Sequence, residues 1–178
     1  MKTLIIPLIL LTTPVMAAKI NEATCSDITS KTNKNITPEY IAETEGFNSR
    51  GKEVFDEIDT ADIISQAKQV DAQCAKDLSA KVEVVRKNAP KSLASSDLHK
   101  KINPLKSKCQ DFVELDEVLQ PVAVYWVAGR DKSGKLEKGG EFDEEFLEQP
   151  VIDLVQDCKA HPKAPFYAKA KAWVKKHI

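Results

Sequence analysis

Residues 108–126 read KCQDFVELDEVLQPVAVYW: a cysteine, then acids alternating with apolar residues, then an almost wholly apolar run after Pro121. Phe112, Leu115 and Leu119 recur at helical spacing behind Cys109. Proline is costly inside a helix but suits a first turn, so Pro121 predicts a new helix over the apolar residues 122–127, with Gly129 as its stop. Gly134, Gly139 and Gly140 predict an exposed loop. Gln149-Pro150 predicts the start of a third helix, with Val151, Leu154, Val155 and Cys158 on one side. Ala164-Pro165 predicts a fourth, carrying Phe166, Ala170, Trp173 and Val174. No alternation of period two competes, so the segment reads as a small helix bundle closed by a disulfide.

The cysteines extend this reading upstream. Cys25 and Cys74 are 49 positions apart, as are Cys109 and Cys158. Four cysteines allow three connectivities, and the sequence alone leaves all three open; the equal spacing favours the two sequential pairs. Closing each loop is worth about 4 kcal/mol in the chain-entropy model. There is no Cys-x-x-Cys and there are only three histidines, which speaks against a redox pair or a metal site. Laying the halves together at an offset of 84 puts Cys25-Ser-Asp27-Ile28 on Cys109-Gln-Asp111-Phe112, Asp59 on Asp143, Ile63 on Leu147 and Val70 on Leu154. The expected architecture is all-α: two small disulfide-closed helical modules in tandem, over residues 18–88 and 108–178. The stretch 89–107, with Pro90, Pro104, serines and lysines, reads as a linker.

Residues 1–17 have the layout of a secretory signal peptide: Lys2, a short apolar run, then small residues around Val15-Met16-Ala17. That run is shorter than the roughly 20 apolar residues of a membrane anchor. The mature chain is therefore expected to be exported, to a periplasm, as about 160 residues. With 26 basic and 27 acidic residues there is no basic excess to neutralise phosphates, so nucleic acid is not an expected partner. Aromatics are only 6% of the chain, and thin cores in exported proteins are commonly supported by disulfides.

Residues 109–124, CQDFVELDEVLQPVAV, followed by QPVIDLVQDCKAHPKAPFYAKAKAWVKK at 149–176, resemble the HdeA/HdeB family of periplasmic acid-stress chaperones. The resemblance implies an all-α domain with one disulfide joining helices, folded and often dimeric at neutral pH. In acid such proteins loosen, expose apolar surface and bind unfolding periplasmic clients without ATP. Position by position, the family's client-binding and dimer-contact stretch falls on residues 119–126. Its acid-sensing carboxylate beside the first cysteine falls on Asp111, and a second falls near Asp143, where this chain has one or two extra residues. The first module lacks the Gln-Pro and the apolar run, reading NITPEYIAETEGF at 35–47.

The residues suggest a mechanism of their own. Leu119, Val122, Val124, Trp126 and Val127 form a run too apolar to leave exposed without association. Glu114, Asp116, Glu117, Glu141, Asp143, Glu144 and Glu145 crowd its flanks and keep it covered while charged. Carboxylates with depressed folded pKa values contribute stability that is lost as pH falls through those values. Acid also leaves all 26 lysines and arginines and the three histidines charged, and such a charge repels itself. The expected function is an acid-activated, ATP-independent holdase, with no catalytic constellation and no cofactor. Its expected contacts are unfolded clients and either a second copy or the other module. The rival reading is a periplasmic interaction module of the same fold without acid activity. Trp126 and Trp173 read as core or interface anchors; His161, before Pro162, as a loop residue; His99 and His177 as solvent-facing; Lys163, Lys169, Lys171, Lys175 and Lys176 as a solubilising face.

Overall fold

The computed structural model describes residues 19–29, 35–49, 58–88, 101–132 and 144–177. The expected signal segment 1–17, the glycine loop, His99 and Asp143 lie outside the described residues. The first half carries α1 (Cys25–Ile28), α2 (Thr37–Asn48), α3 (Thr60–Cys74) and α4 (Val82–Asn88). The second carries α5 (Cys109–Val113), α6 (Gln120–Lys132), α7 (Glu144–Leu147), α8 (Ile152–Ala160) and α9 (Phe166–His177). The fold is all-α apart from a two-residue ribbon, β1 (Ile58–Asp59) antiparallel to β2 (Lys101–Ile102), which pairs Ile58 with Ile102.

The halves repeat each other's local chemistry at the 84-residue offset. Asp27 turns its carboxylate back to accept the Thr24 N–H at 2.7 Å, and Asp111 accepts the Lys108 N–H at 2.7 Å. Each bond ties an acid in the first helical turn to the residue before the helix, satisfying a backbone donor and placing negative charge at the positive end. The Cys25 N–H bonds to the Ala80 carbonyl as the Cys109 N–H bonds to that of Ala164. The Ser26 and Gln110 N–H groups reach Leu78 and Pro162 in the same way. The short bridge of Thr24 with Lys81 recurs as Lys108 with Pro165. Disulfides Cys25–Cys74 and Cys109–Cys158 then staple α1 to α3 and α5 to α8, the sequential pairing.

Several expectations are corrected. The helix behind Cys109 ends at Val113, so Leu115 and Leu119 lie in a turn, where the Leu119 N–H bonds to the Asp116 carbonyl at 2.8 Å. Gly129 does not stop α6, which continues to Lys132. The helix expected from Gln149-Pro150 is α8, which begins at Ile152, and a separate short helix, α7, precedes it and ends at Leu147. Proline cannot donate to the helical ladder and pushes the residue before it out of helical geometry. Part of the expected linker is built in, since Ile102 and Pro104 are buried.

The buried side chains of both halves form one core cluster. Its axis is the contact of α2 with α6, the most extensive between any two elements. Glycine explains how closely these helices approach. A Cβ on Gly46 would lie 1.9 Å from the Trp126 carbonyl oxygen, and one on Gly129 would lie 1.8 Å from that of Glu43. The same Cβ atoms would also crowd the backbone nitrogens of Arg130, at 3.0 Å, and Phe47, at 2.9 Å. Each helix thus presents a glycine to the residue three positions before the other's glycine, a reciprocal contact.

Candidate functional site

The apolar stretch singled out by the sequence is deeply buried. Leu119, Val122, Val124 and Val127 have no exposed surface, and Trp126 is 2% exposed. The cover comes from other helices. On one side lies α2, whose Tyr40, Ile41 and Ala42 are buried at positions where the sequence suggested no apolar match. The Tyr40 hydroxyl donates to the Ile20 carbonyl, and burial pushes its pKa up to about 12. The Arg130 guanidinium sits 5.7 Å over the Trp126 ring and donates to the Ser49 carbonyl at 3.1 Å, joining the ends of α6 and α2.

On the other side lies α9. Trp173 meets Tyr125 edge-on at 6.4 Å and Phe146 at 6.1 Å, while Tyr125 meets Phe146 at 5.2 Å. The Tyr125 hydroxyl donates to the carbonyls of Phe146 and Gln149 at 2.8 and 2.9 Å, satisfying a polar group inside an apolar cluster. Phe166 stacks on Phe112 at 4.5 Å, fixing the start of α9 against α5.

Three aspartates clasp α9. The Trp173 indole N–H donates to Asp153 at 2.6 Å, and Lys176 reaches the same carboxylate at 3.4 Å. Lys169 pairs with Asp157 at 2.8 Å, and Lys171 with Asp131 of α6 at 2.6 Å. Lys169, Lys171 and Lys176 are therefore not simply a solubilising face. His177 is not solvent-facing, because it stacks on Trp173 at 4.2 Å; exposed His161 pairs with Asp157 at 3.0 Å. Burial acts to raise the Asp153 pKa, but hydrogen bonds from Trp173, Lys176 and the Leu154 backbone outweigh it and hold the carboxyl below its ordinary value. The hydrogen bond and charge of Lys169 do the same for Asp157, with His161 assisting.

The acidic cluster expected to hide the stretch lies farther out. Asp111 is exposed and spends one oxygen on the Lys108 N–H; Glu114, Asp116, Glu117 and Glu145 are also exposed. The carboxyls closest to the α2–α6 seam are ones the sequence reading passed over. Glu39 and Glu43 of α2 are buried. Glu45 pairs with Arg86 at 3.2 Å, and Arg86 also grips Glu83 at 3.0 Å. Burial holds Glu45 above its ordinary pKa, with Arg86 opposing. A legible signal for the clasp did exist: Asp153 and Asp157 are four apart on one helix, facing Lys169, Trp173 and Lys176 at helical spacing on the next. Beside the seam, a groove of ≈ 590 Å³ is lined by Glu39, Val113, Leu115, Pro121, Val151 and Ile152. Among the described residues no His, Cys, Asp and Glu cluster could hold a metal, and no helix is long and apolar enough to cross a membrane.

Two disulfide-stapled helical units joined through a central helix pair define a small all-α protein whose most apolar helix is hidden by its neighbours. The model of the HdeA/HdeB family matches residues 84–168, most of the second half. The chain is similar to the probable acid stress chaperones HdeA of Brucella ovis, Brucella canis and Brucella suis, 39% identical to each over 77 residues. That match covers 43% of this chain and 65% of each relative. No solved structure matches the chain.

Proposed function

We propose that the protein is a periplasmic, acid-activated, ATP-independent holdase chaperone, exported after loss of residues 1–17. It is non-catalytic and needs no cofactor; its ligands are unfolding client proteins. The observation that carries this reading is the complete burial of Leu119, Val122, Val124 and Val127 beneath helices held by ion pairs that acid can break. The names of the Brucella relatives support it.

In this reading residues 18–88 form a divergent module joined by 89–107 to the module at 108–178. Helix α2 stands where the family's second subunit would stand, and the intervening chain raises the effective concentration of one module for the other. Clients bind where the cover of α6 loosens, within the stretch that holds Leu119, Val122, Val124, Trp126 and Val127. Asp111 and Asp143 are the acid-sensing positions that the family resemblance implies.

The test is client-aggregation suppression by the purified mature protein from neutral pH to about 2, below the ordinary carboxylate range. Apolar-dye binding and protection should both rise as pH falls. Their absence across the range would reject the holdase and leave the interaction module. Light scattering at neutral pH should show a monomer; a dimer built only through the second module would reject the internal pairing.

A further inference from the structure

The two covers of α6 differ in how far ion pairs that acid can break hold them. Facing α9 are Asp153 and Asp157 from α8 and Asp131 from α6, against Lys169, Lys171 and Lys176, with His161 and His177 in the same network. The lysines remain charged in acid, so each carboxylate that protonates leaves a cation without its counter-charge. Asp153 and Asp157 are held below the ordinary value of 3.8, so the stability they contribute is present above that value and is lost as pH falls through their folded values.

The seam of α2 with α6 has a different composition. Its contact is backbone against backbone at Gly46 and Gly129, which no proton can alter. Around it stand Glu39, Glu43 and Glu45 from α2, Asp62 from α3, Glu83 and Arg86 from α4, and Arg130 from α6. Glu45 is held above the ordinary value of 4.5, so its protonation in the folded state stabilises that state as pH falls. Arg130 is anchored to the Ser49 carbonyl and hydroxyl, neither of which titrates in acid.

We propose that acid lifts α9 from α6 while the α2–α6 seam stays closed, so that the surface uncovered is the aromatic cluster of Tyr125, Phe146 and Trp173. Only the assignment of this surface to clients rests on the holdase reading; the order of opening does not. The first module is then a permanent brace rather than a partner that leaves, and α9 is the moving part.

The two tryptophans report the two covers separately. Trp126→Phe leaves Trp173 as the reporter of α9, and Trp173→Phe leaves Trp126 as the reporter of the seam. Quencher access measured from neutral pH to about 2 should rise several-fold for Trp173 below about pH 4 while Trp126 stays shielded. Trp173→Phe itself removes the bond to Asp153, so hydrogen exchange on the unmutated chain supplies the second measurement. Amides of α9 should lose protection at a higher pH than those of α2. Asp153→Asn with Asp157→Asn should move the α9 transition towards neutral pH and leave that of α2 in place. Exposure of Trp126, or loss of α2 protection, at the same pH as α9 or above it overturns the inference, as does an α9 that stays closed throughout. Opening of α9 without client protection would instead reject the holdase reading and leave the order of opening standing.

Discussion

Gly46 of α2 lies directly against the backbone of Trp126 in α6, so that a single added methyl would come within 1.9 Å of the Trp126 carbonyl oxygen. Gly129 stands in the same relation to Glu43, at 1.8 Å. The obstacle in both cases is helix backbone, which cannot swing aside as a side chain does. Gly46→Ala and Gly129→Ala should therefore each destabilise the protein by about 3 kcal/mol, at the upper end of overpacking costs. Alanine's better helix propensity, worth about 1 kcal/mol, opposes this without cancelling it. Urea unfolding at neutral pH checks the values, and a loss under half a kcal/mol would mean that the helices are not so close.

Val124 tests the depth of the stretch. It has no exposed surface, so Val124→Asp would bury a carboxyl among apolar side chains. Burying a charge without a partner costs several kcal/mol, comparable to the whole stability of a small domain. The variant should lack a cooperative transition at neutral pH by circular dichroism. Val122→Ser does not titrate and should remain folded, weakened by about 2 kcal/mol.

The acid response can be divided by residue. Removing the Asp153 charge with Asp153→Asn should lower stability above pH 4, where the carboxylate is ionised, and flatten the fall between about pH 4 and 2. Glu45→Gln should act in the opposite sense, because the folded state of the parent favours the protonated group. That variant should be at least as stable as the parent at neutral pH, and its advantage should vanish as pH falls through the raised folded value. Denaturation midpoints at pH 7, 4 and 3 for the two variants separate these signs. Parallel curves would show that neither group governs the response.

The two disulfides enclose equal spans of 49 positions and so should contribute similarly through the unfolded chain, by about 4 kcal/mol each. Cys25→Ser with Cys74→Ser tests the first, and Cys109→Ser with Cys158→Ser the second. The shared core predicts that losing either bridge lowers one common transition rather than melting one half alone. Two separated calorimetric transitions in either variant would show that the halves unfold independently.

The sequence by itself determined the helical class, the sequential pairing suggested by two equal cysteine spacings, and the Cys-x-Asp starts that became matching helix caps at Asp27 and Asp111. These were legible because they are local: a period of helical turns, a proline in a first turn, an acid reaching back three residues. The apolar run at 119–127 was legible as something that must be covered, since hydrophobicity is a property of each side chain. What covers it was decided only by the tertiary structure. Gly129 reads as a helix stop because glycine commonly ends helices, yet here it lies inside α6 and admits α2, a role visible only when the facing backbone is present. Tyr40, Ile41 and Ala42 look too sparse to form an apolar face, but a partner helix at such close range buries even the polar positions Thr37, Glu43 and Thr44 beside them. The sequence drew attention to the densest acidic clusters, whereas aspartates bonded across helices include Asp71, Asp131, Asp153 and Asp157, which lie outside those clusters. Charge density is a sum along the sequence, but a pKa shift depends on distance and burial in space, which folding alone supplies.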